Sequence, residues 1–166
     1  MPVWKENGEE FVHCTAIIRK LGIRHGYYSC EPDVIQCIDK CVEDCSAVDS
    51  YLDPTINMPK AFGKPEACSD EEALKLYCEK TEPLAARLAA CCKPGCYIAG
   101  TSKPTIADFW VLHVLSVQFD NDAHPYPCCT EAGRKTLASH PGLKAYYEKM
   151  CAENQKYLSA RGPSPL

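Results

Sequence analysis

One capped apolar segment decides the fold, and it reads Thr105-Ile106-Ala107-Asp108-Phe109-Trp110-Val111-Leu112-His113-Val114-Leu115-Ser116-Val117. Thr105 and Asp108 have the spacing of a capping box, in which two side chains satisfy free backbone amides at the start of a helix. The residues that follow are apolar on nearly every side, so other helices must surround them. The segment therefore predicts the central helix of a helical bundle.

His113 interrupts this apolar segment. Its imidazole could act as a metal ligand or a base, but a lone histidine in a core segment is more often hydrogen-bonded to a neighbouring carbonyl group. We therefore interpret His113 as a structural residue.

A long helix is expected to begin at Pro32, because proline suits a first helical turn. Its apolar residues recur three and four positions apart and form one stripe: Val34, Ile38, Cys41, Cys45, Val48 and Leu52. Asp53-Pro54 is expected to stop this helix. Residues 55–67 contain prolines and a glycine, and they are predicted to form a loop.

A second capping box, formed by Ser69 and Glu72, predicts the start of another long helix. Pro83 is a candidate kink in this helix, and Gly95 is expected to end it in the left-handed conformation.

Three residues are predicted to organise the carboxyl-terminal part of the chain. Thr130 and Ser139 are expected to cap helices, and Pro141 is expected in a first turn. The apolar face of the helix after Pro141 comprises Leu143, Tyr146, Tyr147 and Met150. Two short helices and a Gly-Pro-Ser-Pro tail are predicted for this part.

At the amino end, residues 3–12 alternate between apolar and polar around Asn7-Gly8, the pair that favours a tight hairpin turn. A helix is expected to follow directly and to end near Gly26. A two-strand hairpin is marginally stable by itself in water, so this one is expected to need support.

Composition excludes several classes of function. The chain of 166 residues has a formal net charge of −4, so it offers no basic field for nucleic acid or an anionic membrane. No apolar stretch is long enough to span a bilayer, and the first ten residues do not resemble a signal peptide. We therefore expect a soluble protein without membrane insertion.

The chain contains 13 cysteines, an odd number, so at least one must stay unpaired within the chain. Several lie at helical spacing among apolar residues, which favours reduced thiols and a cytoplasmic or other reducing intracellular compartment. No Cys-x-x-Cys pair occurs, and no metal site is expected; the nearest approach is Cys91-Cys92 with Cys96. The vicinal pairs Cys91-Cys92 and Cys128-Cys129 would be redox-sensitive if they were exposed and low in pKa.

Four segments carry a resemblance to a known family: Pro2-Val3-Trp4 with the helix that follows, residues 38–43, residues 97–108 with their Thr105-Asp108 box, and residues 139–161. They resemble the cytosolic glutathione transferases from the third strand of that family onward, and the closing helices are most like the sigma-type enzymes. The resemblance implies a mainly α fold. Residues 1–26 would be the remnant of a truncated thioredoxin-like domain, with a β-hairpin and a helix, and residues 27–166 a glutathione-transferase C-terminal-like helical domain.

The resemblance also implies an altered glutathione site. The sequence begins at the family's cis-proline position, so no residue is expected in the catalytic position. In the family, the backbone of the residue before that proline binds the cysteinyl part of glutathione, and this residue would here be Met1. Pro2 and Val3 are the adjacent ligand-binding residues that the resemblance implies. His13-Cys14 stands where the family has a Gln-Ser pair for the glutamate end, and the acidic residue that some classes contribute from the neighbouring subunit falls on Ala47.

Two functions from different classes follow. The first is a non-catalytic scaffold or interaction subunit of a larger assembly, which docks through the open hairpin edge and needs no cofactor. The alternative is a glutathione transferase or glutathione-binding protein in which Cys14 replaces the lost activator. A pseudo-transferase that binds apolar ligands is a third hypothesis, although an incomplete cleft would be open to water. A homodimer is also compatible with the resemblance, although part of the family's dimer surface is absent.

Overall fold

The chain opens with the expected hairpin, in a computed structural model that describes residues 3–161. Strands β1 (Val3–Glu6) and β2 (Glu9–Val12) pair antiparallel, with Trp4 opposite Phe11. Asn7 and Gly8 connect them with φ values of 51° and 82°. Both values lie in the left-handed region that a primed two-residue turn requires, so the predicted turn is confirmed.

Helix α1 (Cys14–His25) follows β2 and ends at Gly26, as predicted. Gly26 has a φ of 76°, and its N–H group donates to the Gly22 carbonyl. Gly22 lies so close to Ile106 that an added Cβ would come within 2.5 Å of the Ile106 Cγ2 atom. This close approach places α1 against the start of the central helix.

Helix α2 (Pro32–Leu52) buries the predicted stripe from Ile38 onward and leaves Val34 half-buried, but Asp53-Pro54 does not stop the chain from coiling. A π-helical turn (Asp53–Asn57) and the short helix α3 (Met58–Ala61) continue from it, so the loop prediction for residues 55–67 is wrong in its first half. The wider register accommodates Pro54, since the Met58 N–H group bonds to the Asp53 carbonyl. Ile56 and Asn57 are fully buried and hold this turn in the core.

Helix α4 (Asp70–Cys91) begins at the predicted cap, where Ser69 Oγ accepts a hydrogen bond from the Glu72 N–H group at 3.2 Å. Pro83 lies inside the helix. The helix ends before the expected Gly95, which lies instead in a turn closed by Cys96 N–H and the Lys93 carbonyl. Proline at position 94 explains the early end, because it disfavours helical geometry at the preceding residue.

Helix α5 (Ile106–Val114) is the predicted central helix, and it packs against α2. It continues as a second π-helical turn (Leu115–Phe119), all of whose residues are buried. The α-helix is therefore shorter than the sequence predicts. The segment is buried as expected, except that Phe109 and Trp110 are half-buried and His113 is exposed.

Three helices close the described chain instead of two: α6 (Pro127–Ser139), α7 (Pro141–Glu153) and α8 (Gln155–Arg161). Pro141 starts α7 as predicted. The predicted caps are wrong, because Ser139 is the last residue of α6 and the Thr130 hydroxyl, inside α6, donates to the Asn121 carbonyl. The predicted face of α7 is buried: Leu143, Tyr146, Tyr147 and Met150. Over residues 3–161, no helix has the length and apolarity needed to cross a membrane.

Candidate functional site

The candidate site starts at the outer edges of the hairpin, which pair with no further strand among residues 3–161. Glu6 and Glu9 close the two-residue turn and Lys5 faces Glu10. Hydrogen-bonded and non-hydrogen-bonded pairs alternate along an antiparallel ladder, so the Lys5 and Glu10 backbone groups point outward. The backbone groups of Val3 and Val12, two positions further from the turn, also point outward. Each strand therefore presents a short row of free backbone donors and acceptors.

One face of the hairpin packs on α1 and the other is open. Trp4 and Phe11 turn toward α1, where the Lys20 ammonium group lies 3.3 Å from the centre of the Phe11 ring. Val3 and Val12 point the other way and are 50% and 42% exposed. Two branched apolar side chains therefore flank the unpaired backbone groups.

Glu6 ties the hairpin to α1. Its carboxylate accepts hydrogen bonds from the Arg24 guanidinium at 2.5 and 2.9 Å and lies 3.3 Å from the Lys20 ammonium group. The hydrogen bond from Arg24 is the main reason why the pKa of Glu6 lies below its usual value. These bonds hold the hairpin on the helix without covering its edges.

The residues implicated by the resemblance lie at one end of the hairpin. Val3 pairs with Val12, which brings the start of β1 beside the His13-Cys14 junction. His13 has φ 72° and ψ 117°, and Cys14 is the exposed first residue of α1. Pro2 lies outside the described residues. The structure thus brings Val3, His13 and Cys14 together, with an exposed thiol at a helix amino end.

The two predicted capping sites are architectural. Asp108 is fully buried, and its carboxylate accepts hydrogen bonds from the Thr105 N–H and hydroxyl groups at 2.7 and 2.9 Å. The same carboxylate accepts the Ile98 N–H at 2.8 Å. Together with Ser69 and its partner Glu72, these groups start helices.

A cavity lies between α5 and α8, and the sequence analysis did not predict it. The cavity has a volume of about 310 Å³ and is lined by Phe109, Leu112, His113, Ser116, Asn154, Tyr157, Leu158 and Arg161. The expected burial of His113 is wrong, since its side chain is 49% exposed and its Nε2 atom lies 3.8 Å from Asp49 Oδ2. Its interpretation as a structural residue stays a prediction. Partial loss of solvent and the nearby Arg161 charge lower the pKa of His113.

Asp49 borders this region from α2 and has a perturbed carboxyl group. Burial beside Asp53 raises its pKa to about 7, although a hydrogen bond from Gln118 at 3.2 Å favours the charged form. The sequence offered one sign of this polar region, because His113 and Gln118 interrupt the apolar central segment. Their contact with Asp49 on α2 depends on how the helices pack.

All 13 thiols are free, and none forms a disulfide. Within residues 3–161, no three His, Cys, Asp or Glu side chains are placed to hold a metal ion. The assignment of function depends on this chain's own residues, because no protein-family model and no curated protein matches the sequence.

Proposed function

We propose that the chain is a non-catalytic scaffold subunit of glutathione-transferase-like architecture that docks on another protein through the open edge of its hairpin. The observation that carries the proposal is the two-strand sheet whose outer backbone groups and Val3 and Val12 side chains are uncovered. An open edge is a template for an incoming strand, and pairing by β-augmentation satisfies its donors and acceptors. The occupant is therefore an extended strand of a partner subunit.

Further apolar surface supports a partner near the hairpin. The Tyr27 ring, which is 40% exposed, meets the Phe109 ring edge-on at a centroid distance of 5.3 Å. Phe109 in turn borders the α5–α8 cavity together with Tyr157, which is 59% exposed. Exposed aromatic groups of this kind are enriched where proteins meet.

The edge can be tested with two matched proline variants. Lys5→Pro removes an outward N–H group from β1, and Glu10→Pro removes one from β2, while both delete the same Lys5–Glu10 ion pair. We expect one variant to lose the partner captured from the native source and the other to retain it. Loss in both or in neither contradicts docking through a defined edge.

Amide hydrogen exchange tests whether a partner stabilises the hairpin. In the isolated chain, amides of residues 3–12 should exchange much faster than those of α5, and they should slow in the complex. A monomeric chain whose hairpin amides exchange as slowly as those of α5 would contradict the proposal. Sedimentation distinguishes a hetero-complex from pairing between two copies of the chain.

The alternative function, glutathione binding or transfer, is favoured by the exposed Cys14 thiol at the amino end of α1 beside Val3. It predicts saturable glutathione binding at millimolar concentration that Cys14→Ala abolishes. Cys30→Ala is the control, because Cys30 is also exposed but lies before α2. Absence of binding at that concentration rules the alternative out.

A further inference from the structure

The cavity between α5 and α8 is a gap that the two helices leave between their facing sides. Helix α8 buries none of its seven residues fully, and its Leu158 side chain packs only partly against the core. Phe109 and Leu112 of α5 lie across the gap, and the cavity has a volume of about 310 Å³. This volume is at the lower end of the range found for small-molecule sites.

The walls of the cavity are mostly apolar and carry one fixed charge. Four side chains supply the apolar surface: Phe109, Leu112, Tyr157 and Leu158. Arg161 lines the same cavity, and none of its lining residues within residues 3–161 is acidic. A guanidinium group keeps its positive charge in proteins. The lining therefore matches a molecule with an apolar body and a single negative charge.

Arg161 has hydrogen-bonding capacity that the chain does not use. Its Nη1 atom lies 3.4 Å from Ser116 Oγ, which makes a long hydrogen bond to a neutral group. Its Nε atom is shielded from solvent and has no hydrogen-bond partner in the described part of the chain. A shielded donor without a partner costs free energy, so an acceptor that reaches Arg161 Nε gains this free energy on binding.

Ser116 does not add a second free donor to the site. Its hydroxyl group donates a hydrogen bond to the His113 carbonyl at 3.0 Å, and its oxygen faces Arg161 Nη1. The Arg161 guanidinium is therefore the group that selects the charge of a ligand.

Asp49 is an acidic neighbour of this region, but it stands behind His113 and does not line the cavity. Its Oδ2 atom lies 3.8 Å from His113 Nε2, and its Oδ1 atom accepts a hydrogen bond from Gln118 at 3.2 Å. Burial raises the pKa of Asp49 to about 7, so much of this carboxyl group is uncharged at neutral pH. Asp49 therefore does not cancel the positive charge that Arg161 brings to the cavity.

We propose that the α5–α8 cavity binds a monocarboxylate with an apolar chain, such as a medium-chain fatty acid. The carboxylate accepts hydrogen bonds from the Nε–H group of Arg161 and from an adjacent Nη–H group, which is the fork that arginine offers to a carboxylate. The apolar chain lies between Leu112 on α5 and Leu158 on α8, where it leaves water. A phosphate group fits less well, because it carries more negative charge than one guanidinium neutralises. The binding is non-covalent and does not depend on the hairpin edge.

Binding is measured by isothermal titration of the purified 166-residue chain with decanoate. We expect one decanoate to bind per chain, and decanol, which has the same chain length without the charge, to bind at least about tenfold more weakly. Arg161→Gln should weaken decanoate binding by at least about tenfold. Arg134→Gln is the matched control and should bind decanoate as the wild type does, because Arg134 is already paired with Asp120 and Asp122.

Amide hydrogen exchange locates the site in the unaltered chain, so it does not depend on any variant folding. Decanoate should slow the exchange of the α8 amides and leave those of residues 3–12 unchanged. The proposal is overturned if decanoate does not bind saturably, if decanol binds equally well, or if decanoate leaves α8 exchange unchanged. Full retention of decanoate binding by Arg161→Gln also overturns it.

The same variant separates a small molecule from a protein segment as the occupant. A chain that ignores decanoate but loses its captured partner in Arg161→Gln overturns the ligand proposal and assigns the cavity to protein docking. The proline variants of the hairpin should bind decanoate as the wild type does, because the hairpin contributes no residue to the cavity lining within residues 3–161. The ligand proposal and the docking proposal can therefore fail separately.

Discussion

The Tyr146 hydroxyl donates a hydrogen bond of 2.8 Å to Asp108 Oδ1, and this bond joins the middle of α7 to the start of α5. Asp108 also accepts the Ile98 N–H group and two hydrogen bonds from Thr105. A single buried carboxylate thus fastens the loop before the central helix, the cap of that helix and a neighbouring helix. Hydrogen bonds to a charged acceptor are stronger than neutral ones, which makes this centre important for stability.

We expect Asp108→Asn to lower the free energy of unfolding by about 3 kcal/mol. The surrounding groups all donate hydrogen bonds to the carboxylate, and the NH₂ group of asparagine cannot accept them. Tyr146→Phe removes one bond and should cost about 1 kcal/mol. Urea unfolding measures both. Equal losses for the two variants would contradict a carboxylate that serves several partners.

Gly133 in α6 should not tolerate a methyl group. An added Cβ would lie 2.5 Å from Tyr77 Oη and 2.6 Å from the Phe119 carbonyl oxygen, and the backbone atom cannot move freely. We expect Gly133→Ala to cost about 2 kcal/mol or more. Gly142→Ala is the control, because its nearest contact, Cys92 Cβ at 3.9 Å, is ordinary. A thermal melt in which both variants match the wild type contradicts this prediction.

Asp49 should make stability fall as pH rises. Its pKa in the folded state is about 7, above the value near 4 of an unfolded chain, so the folded state holds the proton more tightly between these values. The contribution of protonated Asp49 to the free energy of unfolding is fully present below about pH 4 and is lost as the pH rises through about 7. The loss is at most about 4 kcal/mol.

Asp49→Asn isolates this effect, because the amide keeps an oxygen to accept from Gln118. Relative to the wild type, the variant should gain stability between pH 4.5 and 7.5. Denaturant unfolding at several pH values provides the measurement. A constant difference across that range would contradict a raised Asp49 pKa.

Ser69→Ala should cost about 1 kcal/mol, because it leaves the Glu72 N–H group without its cap at the start of α4. Ser69→Asn should restore most of the loss, since asparagine caps equally well. Chemical unfolding distinguishes the two. If both substitutions were equally destabilising, the role of Ser69 would be packing and not capping.

Glu6→Gln should loosen the hairpin while leaving the bundle intact, because it weakens the contacts to Arg24 and Lys20. Amides of Trp4 and Phe11 should exchange faster, with those of α5 unchanged. Glu9→Gln is the matched control at the facing position of the turn. Equal exchange in both variants would show that Glu6 does not anchor the hairpin.

Local signals in the sequence determined several elements. The Asn7-Gly8 turn, the end of α1 at Gly26 and the Ser69 start of α4 depend on backbone preferences and neighbouring hydrogen bonds. The stripe of α2 depends on helical periodicity. Each of these requires information from only a few adjacent residues, and each is present in the structure.

Local signals gave wrong predictions where contacts with residues distant in the sequence determine the backbone conformation. Pro54 predicts a stop, yet burial of Ile56 and Asn57 holds the chain in a π-helical turn. Thr130 is a good capping residue, but it lies inside α6, where its hydroxyl donates to the carbonyl group of Asn121, a residue that precedes the helix. In both places tertiary contacts outweighed a preference worth about 1 to 3 kcal/mol.

For the candidate sites, the sequence by itself determined the hairpin and the identity of its neighbours His13 and Cys14, because they are consecutive along the chain. Only the tertiary structure decided that the His113 side chain is half-exposed and that its Nε2 atom lies 3.8 Å from Asp49 Oδ2. The physical reason is that the exposure of a side chain and its distance to charged groups depend on which helix faces which. Packing determines which helices are neighbours, and it joins residues that are too far apart in the sequence for a local pattern to reveal.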